Sequence, residues 1–280
     1  MAHLETAGRR SAPARITSEL TDGLHPGEVP PARWLSLAVA ATVLTTWELL
    51  ARMGAISTLF FPAPSTILAT LLHLLVQGEL LHNGAATLSR LCFGLLLGGL
   101  PALLLGWVMG WSPRLRALVD PFVAAAHPIP KIAVLPLVMV LFGIGEAPKL
   151  IVVAVAAFFP MLLNVVAGVR HISPVCFEVA DNYGAGTLKL FTRVIVPGSL
   201  PLVLVGARIA FNVALLLTIS VELVAAPNGL GKMVWMAWQT LRTEELYACL
   251  AVTASIGIGF NFLLDRLVAA LVPWHTERAT

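Results

Sequence analysis

Six stretches of this chain are long and apolar enough to cross a lipid bilayer, and that leaves few folds open. They run over residues 35–53, 87–111, 130–147, 149–170, 199–224 and 248–272. A hydrocarbon core takes about 20 apolar residues per helix. It holds no water, so every backbone donor and acceptor must pair inside the spanning element, and runs of this length do so as helices. Composition agrees: 58% of the 280 residues are hydrophobic and 12% charged, too little charge for a soluble domain of this size. The sequence predicts an all-α polytopic membrane protein with about six transmembrane helices. Only "FGIGEAPK" (142–149) divides the third span from the fourth, and its glycines, proline and two charges suit a tight turn.

Basic residues set the orientation, because the cytoplasmic flanks of spans carry the excess of Lys and Arg. With the N-terminus inside, the cytoplasmic side collects Arg9, Arg10, Arg15, Arg33, Arg114, Arg116, Arg170, Lys189, Arg193 and Arg278. The outer side holds Arg52, Arg90, Lys149, Lys232 and Arg242, while Lys131, Arg208 and Arg266 fall near or inside spans. The expected topology is N-in and C-in. Basic residues dispersed in this way speak for a membrane and against a nucleic-acid partner. Residues 1–33 hold four prolines and are expected to form a disordered cytoplasmic tail. Residues 34–273 then form the transmembrane domain and 274–280 a short cytoplasmic tail. No cleavable signal peptide is expected, and Arg9-Arg10 stands too far from the first apolar run for a twin-arginine signal. Cys92, Cys176 and Cys249 lack metal-ligand spacing and read as small apolar core residues.

Residues 61–90 read as an external interfacial amphipathic helix, with Ser65 as its N-cap. In span two, Gly94-x3-Gly98 and Gly106-x3-Gly110 are spaced for close helix approach. The segment 119–149 carries five prolines, so it cannot be a straight span. Pro128, Pro130 and Pro136 are its gate or hinge candidates, and His127 and Lys131 flank the first pair. These two side chains suit either a cytoplasmic interface or a gate.

Between the fourth and fifth spans the chain turns polar: "EVADNYGAGTLKLFTRVIVP" (178–197). Ser173-Pro174 reads as a helix start. That helix is expected to run through Tyr183, with Glu178, Asp181 and Asn182 on one side, and to stop at Gly184. Thr187 is expected to cap a second helix. There Leu188, Phe191, Val194 and Ile195 share one face and Lys189, Thr192 and Arg193 the other, and Pro197 opens the next span. The stretch offers no catalytic grouping. It reads as a rigid amphipathic knob able to sit in a groove of a soluble partner and pass that partner's movement to two spans, or else as an ordinary polar loop.

Glu178-x-Ala180-x3-Gly184, followed after nine residues by Val194-x-Val196-Pro197, resembles the EAA loop of permease subunits in bacterial ABC importers. The family pattern has Ala where Val179 stands, and Ile and Leu where Val194 and Val196 stand. The segments "FPAPSTILATL", "HPIPKIAVLPLVMVLFGIGEAPK" and "VELVAAPNGLGKMVWMA" are similar to permeases of the nitrate, sulfonate and taurine importer group. The resemblance implies a type I ABC importer permease fold in a bacterial inner membrane. It also implies a homodimer around the pathway, two cytoplasmic ATP-binding subunits on the loops at 174–197, and an extracytoplasmic solute-binding protein. ATP and magnesium belong to the ATP-binding partner, and this chain is expected to bind no cofactor or metal. Glu178, Ala180, Asp181, Gly184, Lys189, Arg193 and Pro197 take the ATPase-coupling role.

Charge inside a span is costly and needs a reason. Arg208 suits an anionic solute such as a sulfonate, taurine or nitrate, or it snorkels or pairs with Asp265. Asn164, Asn212 and Asn261 either line the path or bridge helices; Glu222, near the outer end of span five, stands where the resembling permeases place an acidic residue and is a pathway candidate, or else an ordinary interfacial carboxylate. The chain lacks a phosphate-loop motif, so no enzyme activity is expected of it. The alternative is an ion-coupled secondary transporter, which needs midplane carboxylates or inverted repeats. A membrane-embedded enzyme needs an acid/base or metal cluster, and His127, His171 and Asp120 are too scattered to supply one.

Overall fold

The computed structural model describes residues 32–272. The tails expected at 1–33 and 274–280 lie outside this range, apart from residues 32 and 33, which begin the first helix. Among the described residues the regular elements are all helices, with no strand. Its elements are α1 (Ala32–Arg52), α2 (Pro64–Val76), α3 (Glu79–Trp111), α4 (Pro113–Ala126), a 3-10 turn (Lys131–Val134), α5 (Leu135–Phe142) and α6 (Glu146–Arg170). They are followed by α7 (Pro174–Asn182), α8 (Thr187–Leu190), a π-turn (Phe191–Ile195), α9 (Val196–Ala225), α10 (Leu230–Gln239) and α11 (Thr243–Leu271).

Five helices are long and apolar enough to cross a membrane, and a sixth span forms if α4 and α5 are taken as one broken unit bent by 85°. The expected third span at 130–147 is therefore this broken pair. Pro128 and Pro130 sit in the break, where a missing N–H does least harm. Pro136 stands in the first turn of α5, where proline interrupts no helical bond.

The core is α3 against α6, with α9 across both. Glycine makes that contact possible. A Cβ on Gly98 would lie 1.9 Å from the Ala154 carbonyl oxygen, and one on Gly110 would lie 2.5 Å from Val169 Cβ. Gly94 and Gly106 meet Val153 and Val165 in the same way. The glycine pairs of span two thus do what their spacing predicts.

The region 61–90 departs from expectation, because α2 ends at Val76 and α3 begins at Glu79, with only Gln77 and Gly78 (φ +81) between them. Ser65 lies inside α2, and Ala63 takes the N-cap position. The capping function falls to Glu48 of α1, whose carboxylate accepts from the Ser65 N–H (3.0 Å) and the Ser65 hydroxyl (2.7 Å). A carboxylate there also meets the positive end of the helix dipole. Of the cysteines only Cys249 is buried; Cys92 and Cys176 are exposed rather than core residues.

Candidate functional site

The polar stretch folds as two short helices set at an angle by a glycine turn. Pro174 starts α7, and Ser173 occupies the N-cap position without a side-chain capping bond. Gly184 follows the helix at φ +63, a left-handed conformation that costs glycine nothing. Its N–H donates to the Asp181 carbonyl (2.9 Å), and the Ala185 N–H to the Ala180 carbonyl (2.9 Å), closing the orphan end of α7. The second helix has Gly186 at its N-cap, with Thr187 already inside, so the expected Thr187 cap is absent.

Glu178, Asp181, Lys189 and Arg193 are exposed, and Ala180 and Pro197 are half-buried. Glu178 and Asp181 line a cleft of about 450 Å³ with Trp111 and Arg170, where the knob meets the ends of α3 and α6. The apolar pattern is the notable feature. Val175 and Val179 of α7 and Tyr183 at its C-cap fall four residues apart and are 59%, 48% and 87% exposed; Leu188 is 76% exposed. An uncovered apolar ridge among charges marks a contact surface.

Pro197 does not open a separate span. From α8 the chain passes through the π-turn directly into α9, giving one apolar rod over Thr187–Ala225. The Val196 N–H donates to the Phe191 carbonyl five residues back. A π-turn absorbs one extra residue, which breaks the apolar face expected for the second helix. Leu188 and Ile195, seven residues apart, would share a face of an α-helix to within about 20°. With one residue absorbed, Ile195 is fully buried and Leu188 points outward.

The intramembrane candidates separate into two groups. Arg208 pairs with Asp265 of α11, and one turn further on Asn261 Nδ2 donates to Asn212 Oδ1 at 3.3 Å. These two rungs tie α9 to α11, beside a stacked Phe211–Phe260 pair with centroids 3.5 Å apart. The Arg208 and Asp265 side chains remain 40% and 63% exposed, and Asn212 is also exposed. Asn164 donates to the Pro160 carbonyl one turn back (2.8 Å) and packs where Gly206 brings α9 against α6. It stands, half-buried, at the contact between α6 and α9.

Glu222 is fully buried in a charged network at the outer end of the bundle. Its Oε1 accepts from Arg90 Nη1 (2.7 Å), and its Oε2 from the Thr87 hydroxyl and the Gly231 N–H (2.9 Å each). Arg90 Nε and Nη2 form a fork on Glu146 (2.7 and 2.9 Å), and its two remaining N–H groups reach the backbone and side-chain oxygens of Asn228. All five guanidinium donors are thereby used. Lys149 Nζ adds 2.8 Å to Glu146. Gly229, at φ +117, carries the loop over the Glu222 carboxylate, and a Cβ there would lie 2.4 Å from Cδ. Glu222 is thus enclosed by structural partners, not open to solute as the sequence suggested. Arg90, Glu146, Thr87 and Asn228 were not singled out from sequence, because nothing local pairs residues 56 to 138 positions apart.

At the break between α4 and α5, Lys131 Nζ donates to the His127 carbonyl. The ammonium lies 5.1 Å from the centroid of the Phe159 ring, and the His127 ring meets the same ring edge-on at 5.6 Å. Among the described residues, no group of three or more His, Cys, Asp and Glu side chains gathers as a metal site requires.

Residues 102–276 match the family model described as binding-protein-dependent transport system inner membrane component. The taurine transport system permease protein TauC of Escherichia coli (strain K12) is 36% identical over 248 residues, covering 87% of this chain and 90% of that protein. The putative aliphatic sulfonates transport permease protein SsuC of Bacillus subtilis (strain 168) is 30% identical over 245 residues, covering 87% and 89%. Among solved structures, a chain of the MetNI methionine ABC transporter in an inward-facing conformation superposes with a TM-score of 0.57 at 20% identity, covering 70% of this chain and 98% of that one.

Proposed function

Because the chain belongs to the family of binding-protein-dependent transport inner membrane components, the multi-pass permeases of ABC importers, we propose that the knob at 174–197 is where ATP-driven movement enters it. The observation that carries this reading is the continuous rod from Thr187 to Ala225. Its inner end carries the exposed Leu188 and is joined through the Gly184 turn to the apolar ridge of α7, and its outer end is anchored in the Arg90–Glu222 network. A partner that pushes the knob therefore pushes a spanning helix.

In this reading two copies of the chain enclose the path, and two cytoplasmic ATP-binding subunits, holding ATP and magnesium, grip the two knobs. Glu178, Asp181, Lys189 and Arg193 give the contact its charge pattern, and Gly184 its angle. Closure of the ATP-binding pair draws the knobs together, tilts the rods and switches access. An extracytoplasmic binding protein delivers the solute, a small organic sulfonate or taurine-like anion by analogy with the relatives. Arg208 and Asn212 are the pathway candidates, since both stay accessible at span depth. An ion-coupled carrier is not favoured: the buried carboxylate of Glu222 is fully engaged, with no vacant site for an ion.

Reconstitution with the ATP-binding subunit and binding protein tests the knob. Glu178→Arg and Gly184→Trp are each expected to lower solute-stimulated ATP hydrolysis at least tenfold and to weaken co-purification of the ATP-binding subunit. Unchanged hydrolysis in both variants would sink the docking role. Uptake driven by an ion gradient without the ATP-binding subunit would favour the carrier.

A further inference from the structure

The π-turn has a consequence for α3. Phe191 and Ser199 are eight residues apart, and in an α-helix they would point about 80° away from each other. Absorbing one residue in the π-turn leaves an effective separation of seven, two full turns to within about 20°. Both side chains therefore face the same neighbour, Trp107 of α3. Its indole N–H donates to the Ser199 hydroxyl at 3.0 Å. Its ring meets Phe191 edge-to-face, with centroids 5.5 Å apart at 89°. One indole thus spans the π-turn, holding the knob helix at one end and the membrane helix at the other.

What lies beneath the strut is rigid. Ser199 is fully buried, and its hydroxyl also donates to the Val196 carbonyl (3.1 Å). Its carbonyl oxygen lies 2.9 Å from where a Cβ on Gly168 would sit. Trp107 itself stands between Gly106 and Gly110, the two places where α3 presses on Val165 and Val169 of α6. The inner ends of α3, α6 and α9 are locked together here, while α7 and α8 beyond the π-turn hold no buried residue.

Resting on the coupling role proposed above, we propose that Trp107 is a positioning residue: it sets the angle of the knob helix across the π-turn and makes α3 move with it. Without the strut the π-turn acts as a hinge, and displacement of the knob is lost before it reaches the span.

The test has two arms. In the first, spin labels at Leu188 and Val108, both exposed, are placed in the full chain in nanodiscs with Cys92, Cys176 and Cys249 replaced by Ser. Trp107→Ala is expected to at least double the width of the inter-label distance distribution. This arm needs no ATP-binding subunit, so it stands or falls separately from the docking role. In the second, the reconstituted transporter carries Trp107→Phe or Ser199→Ala, which remove the hydrogen bond while preserving most of the packing. Each is expected to lower solute moved per ATP hydrolysed about threefold, with the ATP-binding subunit still co-purifying. The double variant is expected to be no worse than either single one, since both delete the same bond. An unchanged distance distribution, or an unchanged transport-to-hydrolysis ratio, would overturn the proposal. If Trp107→Ala does not fold, Trp107→Phe and Ser199→Ala decide both arms.

Discussion

At the scale of single residues, Arg90 shows how a charge is kept in an otherwise apolar bundle. It is 4% exposed, with two carboxylates and both oxygens of Asn228 saturating its fork. The network joins α3, the start of α6, the end of α9 and the loop before α10. Removing one member of a buried ion pair strands its partner, at a cost of about 3–5 kcal/mol. Arg90→Met is therefore expected to lower stability by about that amount, because Glu222 has no route to water. Arg90→Lys keeps the charge but offers three donors in place of five, and is expected to fall between the two. Thermal unfolding in detergent micelles orders the three proteins. Glu222 was legible in the sequence as an interfacial acidic residue near a span end, but its purpose was not. A carboxylate that lines a path and one that anchors a loop look alike until the partners from distant segments are in place.

At the scale of elements, regular spans were legible because apolar length is a local property, and the irregular joints were not. The break between α4 and α5 was expected from its prolines, but its place between His127 and Pro130 and its 85° angle depend on what α6 presents. Phe159 presents its ring to both sides of the break, receiving the His127 ring and the Lys131 ammonium. It is 8% exposed, and truncating a buried Phe costs about 3–5 kcal/mol. Phe159→Ala is expected to destabilise the fold at the lower end of that range, since the broken helix can relax into the space. It is also expected to raise protease sensitivity at 127–131, read by limited proteolysis in micelles. Cleavage no faster than in the unmodified chain would mean that the prolines alone hold the corner. The π-turn was hidden for a related reason. A seven-residue apolar spacing from Leu188 to Ile195 reads as one helical face, and only packing against Trp107 reveals that a residue has been absorbed.

At the scale of the whole molecule, the topology follows from a charge count, and the structure supplies the means to check it. Three cysteines are present: Cys249 is buried, Cys92 is exposed within the long span α3, and Cys176 is exposed on α7 in the knob. A membrane-impermeant thiol reagent needs an aqueous thiolate, which Cys92 cannot offer from a hydrocarbon-facing position. Cys176 can, on whichever side the knob lies. With N-in topology, cells or right-side-out vesicles are expected to leave the chain unlabelled, and inverted vesicles to label it at one site. Cys176→Ser is expected to abolish that label. The five-helix count tests the same logic from another side. If α4 and α5 did not together cross the bilayer, α6 would run in the opposite direction, and the knob between α6 and α9 would face outward. Labelling confined to right-side-out vesicles would therefore refute either the charge rule for this chain or the broken span. With the N-terminus inside, the knob cannot meet a cytoplasmic ATP-binding subunit unless the bent pair α4–α5 completes the crossing, so the least regular span carries the weight of the functional reading.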